Sequence, residues 1–341
     1  MKYLQFEKGV PADDIKDLLQ NNIIGTPGKS LVYQHLKTSE KLDYIDNPAF
    51  LSLRLGGNVV GTACFIDRKV SVKDHEFNAT YIRYFSFRRA FRSSSDPVNR
   101  INKSSLLKSE LETFFQQSDR LQYAYVDPGN IRSKRIIGGY GFEKVGVFRT
   151  VFLSRFDPKP CHCVEVLAAE MRSQMKDLLR AFYKDYGLYF SDNIGYQDSY
   201  FIIRENNEIV AGIQANPEHW HVHEIPGSKH LINIVSGFPI IKRIFNKNFR
   251  FLSLEGVFYK KGHEEKVVQL IEHALHYHQR YTAVICLDPK CAIYDLFKTF
   301  DLGFIKNLTS EKEMAIMAQG KDSQIQALRQ IPKYVSGFDN M

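Results

Sequence analysis

The chain has 341 residues, 44% of them hydrophobic and 13% aromatic, so it can bury a sizeable core and is predicted to form two domains of about 160 residues each. Its net charge of +8 is spread along the sequence, which argues against a dedicated polyanion-binding segment. No apolar run approaches the roughly 18 residues that a transmembrane helix needs, and the N-terminus lacks the apolar core of a signal peptide.

The first half of the chain alternates short apolar strands with amphipathic helices. A proline followed by Asp13 and Asp14 is typical of a helix start, and Gly56-Gly57 between two apolar runs predicts a hairpin turn with positive φ. The predicted order is strand 2–8, a helix beginning at residues 10–14, helix 30–42, hairpin strands 50–54 and 58–66, a long strand 78–92 with a basic far end, and helix 101–116.

The second half repeats this order after a linker. Residues 157–163 contain two prolines within three residues, which oppose regular structure. The two hairpins match in residue class, which indicates tandem copies of one fold. The predicted elements are helix 168–186, hairpin strands 200–204 and 208–215 about Asn206-Asn207, strand 249–259, helix 264–278 and strand 281–287.

One supersecondary unit occurs twice. Residues 127–146 and residues 288–307 each follow a short apolar run and open with Asp-Pro. Each then continues through a helix-length segment and closes on Gly-Phe before a further strand-like run. Proline near the start and glycine at the end are typical of the two boundaries of a helix. The repeated unit is therefore predicted to be a strand, a turn, a helix and a second strand.

Two segments fall outside the repeat. Residues 216–248 form an insertion whose apolar stretch LINIVSGFPIIKRIF predicts a buried helix or a partner contact, with contact to a membrane surface or an acyl chain as the alternative. Its HWHVHE run would place His219, His221 and His223 on one face of a strand, a spacing that can bind zinc. No carboxylate or cysteine is assured nearby, so no metal site is predicted. Residues 319–341 are interpreted as a polar tail with one weak helix.

The five cysteines are odd in number and have no framework spacing, which is typical of a reduced intracellular protein. Cys161-His162-Cys163 could hold a metal ion, but the sequence has no second Cys/His pair at zinc-finger spacing. A cytoplasmic location is the prediction that follows.

The order of elements and the repeated unit resemble the GNAT superfamily, the acyl-coenzyme-A-dependent N-acetyltransferases. In the first half, Asn130, Ser133 and Ile136 precede Gly141-Phe142 at the spacing of the family's Asn-x-x-Ala-x-x-Leu-Tyr-x-x-x-Gly-Phe pattern. The sequence departs from that pattern at the tyrosine, where it has Ile137.

The resemblance implies an α/β (α+β) fold of two tandem GNAT-like domains, each a mixed, mostly antiparallel sheet flanked by helices. The implied first domain covers residues 1–156 and is the candidate for acyl-CoA binding. The second covers residues 164–318 and carries the insertion. Acetyl-CoA or another acyl-CoA is the implied cofactor.

Cofactor-binding residues are expected where a strand diverges from its neighbour and a helix begins. Unpaired strand amides can hold the pantetheine arm, and a helix N-terminus attracts a pyrophosphate. The second half offers Lys260, Lys261 and Gly262 there, followed by two glutamates that stabilise a helix start on their own. We favour the first half, with solvated basic surface as the alternative. Its candidates are Arg88, Arg100, Asn102, Lys103, Ser104, Ser105, Asn130 and Ser133.

Acyl transfer to an amine requires a base, a stabilised oxyanion and a proton for the departing thiolate. In the family the base is often a glutamate on the fourth strand, and the acid is a tyrosine on the helix of the repeated unit. The resemblance therefore points to Glu255 as base and Tyr294 as acid. Because a carboxylate inside an apolar strand is costly unless it is paired or functional, a satisfied structural carboxylate remains the alternative for Glu255.

The predicted function is transfer of an acyl group from acyl-CoA to an amine of a small-molecule or peptide acceptor, with one half altered or inactive. One alternative is a tandem GNAT-like transferase that uses aminoacyl-tRNA, although the chain lacks a dense Lys/Arg stripe and nucleic acid is not the expected partner. The other alternative is a non-catalytic binding or interaction protein that retains the fold.

Overall fold

One mixed β-sheet, flanked by helices, runs through both halves of the chain. The computed structural model describes residues 4–25, 27–28, 30–72, 75–88, 120–127, 129, 137–225, 239–307 and 313–340. The predicted helix 101–116, most of the first repeat helix and the middle of the insertion lie outside these ranges.

The first half supplies eight strands and two helices to the described structure. They are β1 (Leu4–Lys8), α1 (Asp13–Gln20), β2 (Ile23–Ile24), β3 (Val32–His35), α2 (Thr38–Tyr44), β4 (Ala49–Leu55), β5 (Asn58–Val72), β6 (His75–Phe87), β7 (Leu121–Val126) and β8 (Glu143–Ser154).

The second half supplies the remaining elements of the described chain. They are β9 (Val164–Val166), the 3-10 helix η1 (Ala169–Met171), α3 (Arg172–Phe182), β10 (Gly187–Tyr189), η2 (Tyr196–Asp198), β11 (Tyr200–Glu205), β12 (Glu208–Glu224), α4 (Pro239–Ile244), β13 (Asn248–Tyr259), α5 (Lys266–Tyr277), β14 (Thr282–Leu287), α6 (Ala292–Thr299), η3 (Phe304–Asn307), β15 (Glu313–Gln319), α7 (Asp322–Gln330) and α8 (Gly337–Asn340).

Neighbouring strands follow the order β1-β4-β5-β6-β7-β15-β8-β14-β13-β12-β11-β9. Two neighbouring pairs, β6 with β7 and β13 with β14, are parallel, and the other described pairs are antiparallel. The predicted fold class, a mostly antiparallel mixed sheet with helices in two related halves, is confirmed.

The two halves exchange strands at the centre of this sheet. β15 comes from the end of the second half, yet it lies between β7 and β8 of the first. β8 in turn pairs with β14 of the second half over residues 149–154 and 282–287. A cut at residue 156 would therefore separate β8 from two of its partners.

The hairpin turns of the two halves have the same backbone geometry, as their matching residue classes predict. Gly56 and Gly57 have φ of 57° and 82° between β4 and β5, and Asn206 and Asn207 have φ of 49° and 64° between β11 and β12. Two successive residues with positive φ form the turn that suits the twist of a two-residue hairpin, and glycine and asparagine adopt that conformation most easily.

The helix predicted over residues 30–42 is wrong. The chain forms β3 and then α2 instead, and β3 pairs with the far end of β12. The ring of Tyr33 stacks on Trp220 with centroids 4.1 Å apart. This contact lies nearly 190 residues away in the sequence, so local periodicity does not reveal it.

The segment interpreted as a polar tail forms α7 and α8, and its residues 333–339 are buried. Lys333 and Ser336, between the two helices, and Asp339, within α8, are each at most 2% exposed. The sequence looked like a tail because these side chains are polar. They are buried because each meets a polar partner within the molecule: Lys333 pairs with Asp288, Ser336 with Glu255 and Asp339 with Arg68.

The run HWHVHE is a strand, the condition under which its three histidines would share a face. His219, His221 and His223 alternate with buried Trp220 and Val222 along β12. Within the described residues no three histidine, cysteine or acidic side chains are arranged to hold a metal ion.

The prediction of five reduced cysteines is wrong for one pair. Cys161 and Cys163 form a disulfide, with Cα atoms 5.4 Å apart, because a turn brings them together. None of the helices in the described part of the chain combines the length and apolar character that crossing a bilayer requires.

Candidate functional site

Matching bulges occur in two antiparallel strand pairs, β5–β6 of the first half and β12–β13 of the second. In the first half Arg83 pairs with Cys64 and Ser86 pairs with Thr62, so two residues of β6 oppose one residue of β5. Tyr84, the first residue of the bulge, has φ of 56°. The extra residue leaves backbone groups without a ladder partner.

The second bulge lies at the corresponding place in β13. Glu255 pairs with Gln214 and Phe258 pairs with Gly212, and Gly256 has φ of 56°. Glu255 therefore occupies the position that Arg83 occupies in the first half, and Gly256 corresponds to Tyr84.

Each bulged strand also diverges from its parallel neighbour. β6 and β7 are paired only as far as Tyr81 and Tyr123, and β13 and β14 only as far as Leu254 and Ile285. Beyond these points the part of the chain that the structure describes supplies no strand partner to the facing edges of β6 and β13. The chain thus contains two equivalent clefts, the first between β6 and β7 and the second between β13 and β14.

The second cleft is filled by the chain itself. Residues 333–340, here called the C-terminal segment, run between β13 and β14. A Cβ atom added to Gly337 would lie 2.8 Å from the backbone oxygen of Leu254. At the other wall Asn340 Nδ2 lies 3.2 Å from Cys286 Sγ. This packing leaves no space for a ligand to lie along the free edge of β13.

Glu255 holds the C-terminal segment in place. Its carboxylate accepts hydrogen bonds from Asn216 Nδ2 at 2.8 Å and from Ser336 Oγ at 2.6 Å. Burial raises the pKa of Glu255, and these hydrogen bonds oppose the shift. Both oxygens are occupied by protein donors, an arrangement that fits the satisfied structural carboxylate left open by the sequence.

The cavity beside Glu255 is small. Its volume is about 20 Å³, which is room for one water molecule, and its walls include Tyr186, Cys291 and Tyr334. Tyr294 does not belong to the described residues that line this cavity. Its hydroxyl accepts a hydrogen bond from Arg149 Nη1 at 3.0 Å, and the side chain is 3% exposed.

In the predicted phosphate-binding loop of the second half, a glutamate of the loop already accepts a backbone hydrogen bond that a phosphate would need. Gly262 has φ of 86°, and its N–H donates to Glu264 Oε1 at 3.2 Å. Hydrogen bonds from the backbone N–H groups of Gly262 and of Glu264 itself lower the pKa of the Glu264 carboxyl. Lys260 pairs with Glu208, while Lys261 is exposed. A phosphate would have to displace Glu264 from the N–H group that it needs.

Most of the predicted cofactor residues of the first half lie outside the described structure: Arg100, Asn102, Lys103, Ser104, Ser105, Asn130 and Ser133. Arg88 is described and follows β6 at the mouth of the first cleft. Its backbone N–H donates to Val60 O at 2.9 Å, and its Nε donates to Val59 O at 2.7 Å. These bonds anchor the exposed guanidinium group to β5.

Buried charges that the sequence analysis missed lie between the two clefts. Asp339 of the C-terminal segment contacts Arg68 at 2.6 Å and Arg83 at 3.8 Å. Lys41 pairs with Glu218, and both side chains are 2% exposed. Burial lowers the pKa of Lys41, and the carboxylate of Glu218 opposes that shift. The C-terminal segment thus joins the two bulges, through Ser336 to Glu255 and through Asp339 to Arg83.

One signal could have revealed part of this cluster. Arg83 interrupts an apolar strand just as Glu255 does, and a lone charge in such a strand implies a buried partner. Lys41 and Glu218 give no comparable signal, because each lies in a polar segment whose sequence is typical of a solvated surface.

The described walls of the first cleft carry buried polar groups without partners. The hydroxyls of Tyr84 and Tyr125 are buried and have no hydrogen-bond partner among the described residues. Tyr125 lies two residues beyond the last pair of β6 and β7, and its ring contacts Tyr81 with centroids 5.2 Å apart. Burial raises the pKa of both hydroxyls, so they stay protonated and can donate. Unpaired strand amides and two free donors fit a polar arm such as pantetheine.

The fold is similar to that of known acyltransferases. Saccharomyces cerevisiae N-myristoyltransferase with bound myristoyl-CoA superposes with a TM-score of 0.58 at 9% identity, covering 93% of this chain and 83% of that one. A conserved Enterococcus faecalis protein, a probable N-acyltransferase, superposes with a TM-score of 0.50 at 10% identity, covering 95% and 74%. These similarities confirm the predicted fold, a mixed and mostly antiparallel sheet flanked by helices in two related halves.

At the level of sequence no protein-family model matches the chain, and no curated protein is similar to it.

Proposed function

We propose that the protein transfers an acyl group from acyl-CoA to an amine, with the donor bound in the first cleft. One observation carries the proposal: of two equivalent clefts, the second is filled by the C-terminal segment, while the first has, among the described residues, no strand paired with its β6 edge and no hydrogen-bond partner for two buried hydroxyls. The similarity in fold to an enzyme solved with myristoyl-CoA supports this choice of ligand.

The residues of the first cleft have separate roles in this proposal. The free edge of β6 beyond Tyr81 binds the pantetheine arm through backbone N–H groups, as an added strand would. The bulge at Tyr84 directs a backbone N–H towards the reacting carbonyl, where it stabilises the oxyanion. Arg88 binds phosphate at the cleft mouth, together with the predicted loop residues.

Proton transfer in this cleft differs from the family pattern. Ile137 occupies the tyrosine position of the first repeat helix and cannot donate a proton. Tyr125 is the replacement that we propose, because its hydroxyl is protonated, buried and without a hydrogen-bond partner among the described residues. We assign it the role of donating to the departing thiolate. Glu255 and Tyr294 remain predictions for catalysis, and their contacts support structural roles.

The acyl group and the acceptor are set by the cleft walls. We propose a small-molecule or peptide amine as acceptor. Acetyl-CoA and longer acyl-CoAs are both candidate donors. We propose a cytoplasmic location, as the sequence predicted.

The proposal is tested by measuring release of free CoA thiol. Acetyl-CoA and longer acyl-CoAs would each be incubated with peptides bearing free amino groups and with small diamines. We expect acceptor-dependent release, and we expect Tyr125→Phe to lower kcat by about 10²-fold with little change in KM, since the hydroxyl acts in the transition state.

Tyr81→Phe is the matched control, since the Tyr81 hydroxyl donates to the backbone oxygen of Asp339 within the protein at 3.4 Å. Transfer from aminoacyl-tRNA, with no release from any acyl-CoA, would contradict the proposal.

A further inference from the structure

The linker between the two halves carries a pair of sulfur atoms that differs from the other cysteines of the chain. Cys64, Cys286 and Cys291 are buried thiols. Burial raises the pKa of Cys64 and Cys286 to about 12 and that of Cys291 to about 11, so these thiols are chemically inert. Cys161 and Cys163 instead form a disulfide, and Cys163 is exposed.

A backbone turn holds this pair together independently of the sulfur–sulfur bond. The N–H of Val164 donates to the carbonyl oxygen of Cys161 at 3.2 Å, closing the turn at the start of β9. The Cα atoms are 5.4 Å apart, within the range that disulfides span. The two thiols therefore remain neighbours when the bond is broken, and neither state requires the fold to rearrange.

Helix α5 supports the turn from one side. The N–H of Cys161 donates to His273 Nδ1 at 3.1 Å. Cys163 Sγ lies 3.7 Å from Gln269 Oε1, a contact in which only a reduced thiol can donate a hydrogen bond. Gln269 and His273 lie one helical turn apart on the same face. The site thus offers a partner to the reduced state of Cys163 as well as a geometry for the oxidised state.

The other side of the pair is open to solvent. A cleft of about 490 Å³ is lined by His162, Cys163, Glu165, Arg204, Asn206 and Asn207. The guanidinium of Arg204 pairs with Glu165 within it. Cys161 by contrast is half-buried against the core of the second half. One sulfur is therefore accessible to an external reagent, and the other is placed behind it.

A structural role does not account for this bond. A cross-link stabilises mainly by restricting the unfolded chain, and the effect grows with the length of the closed loop. Only one residue separates these cysteines, so the restriction is near its minimum. The surrounding core and helix contacts already hold the linker.

We infer that Cys161 and Cys163 form a thiol–disulfide exchange site that reacts with a low-molecular-weight disulfide. The thiolate of Cys163 attacks one sulfur of the external disulfide and expels the other as a thiolate, which takes a proton. The thiolate of Cys161 then attacks Cys163 Sγ, expels the second thiol and closes the intramolecular bond. The external disulfide gains two electrons and two protons, and the protein loses them. A dithiol in excess drives the reverse reaction.

The test uses the intact native protein with oxidised glutathione and dithiothreitol. We expect the pair to be reduced by dithiothreitol and to close again in oxidised glutathione, without unfolding. Alkylation followed by peptide mass mapping should label Cys161 and Cys163 only in the reduced sample, and should leave Cys64, Cys286 and Cys291 unlabelled in both. A pair that stays reduced in oxidised glutathione, or that opens only in denaturant, would overturn the inference.

Two serine variants identify the attacking sulfur. Cys161→Ser should accumulate a glutathione adduct on Cys163, because the residue that resolves it is missing. Cys163→Ser should lose the intramolecular bond and form its adduct on Cys161 more slowly. Equal adduct formation in both variants, with circular dichroism matching the wild type, would contradict the assigned order of attack.

Discussion

A carboxylate at position 255 would destabilise an apolar strand unless its environment compensated for the lost hydration. The compensation comes from Asn216 and Ser336, which donate to its two oxygens. The sequence predicted that Glu255 is special and left two reasons open. Its partner Ser336 lies 81 residues further along the chain, so no local pattern could decide between catalysis and structure.

The pH dependence of stability tests this environment. The pKa of Glu255 is raised in the folded chain, mainly by burial. A raised carboxyl pKa adds stability below its unfolded value of about 4.3, and this contribution is lost as pH rises through the folded value. We therefore expect the wild type to gain stability relative to Glu255→Gln as pH falls from 7 towards 4.5, by about 1.4 kcal/mol for each unit of pKa shift.

Urea denaturation of both proteins at several pH values would measure this difference. A difference that stays constant across the range would contradict the buried, desolvated state of Glu255.

At the scale of elements, each repeated unit has a glycine with positive φ after its helical segment, but the two glycines meet different surroundings. Gly141 has φ of 86°, and a Cβ there would lie 3.4 Å from Gln319 Nε2. Gly303 has φ of 71°, and a Cβ there would lie 2.2 Å from the backbone oxygen of Ser154. A side-chain amide can move aside, whereas the backbone of β8 cannot.

Matched substitutions should separate these two cases. Gly141→Ala should cost about 1–2 kcal/mol, which is the strain of positive φ. Gly303→Ala should cost about 3 kcal/mol or more, because overpacking against Ser154 is added to the same strain. Chemical denaturation measures both values. Equal costs would show that the strand exchange does not bring β8 against the second repeat unit.

The sequence predicted the elements whose causes are local. The hairpin turns follow from Gly56-Gly57 and Asn206-Asn207, whose residue types tolerate positive φ. In the second repeat unit the predicted helix forms after Asp-Pro as α6, but the strand predicted after Gly303-Phe304 is wrong, because η3 forms there. Most of the first repeat helix lies outside the described residues. Two features were not predictable in the same way: β3 is a strand because it pairs with β12, and residues 333–340 are buried because their polar groups find distant partners.

At the scale of the whole molecule, the exchanged strands couple the halves. β15 completes the first half between β7 and β8, and β8 completes the second half beside β14. The buried pairs Lys41–Glu218 and Arg68–Asp339 also join residues from the two halves. Neither half retains a complete sheet without the other.

We therefore expect one cooperative unfolding transition instead of two. Trp220 is the only tryptophan and lies where β12 meets β3, so its fluorescence reports the junction between the halves. Far-ultraviolet circular dichroism reports the whole chain. The two denaturation curves should coincide, as in a two-state transition. Separate midpoints would indicate that the halves unfold as independent domains.

The use of one cleft and not the other is the central claim, and titration calorimetry with acyl-CoA tests it most directly. The predicted result is one molecule bound per chain. Arg88→Ala should weaken binding roughly tenfold, the loss of one hydrogen bond of about 1.4 kcal/mol to a phosphate. Lys260→Ala with Lys261→Ala should leave the Kd unchanged. Two molecules bound per chain, loss of binding in the Lys260/Lys261 variant, or no binding below millimolar concentration would contradict it.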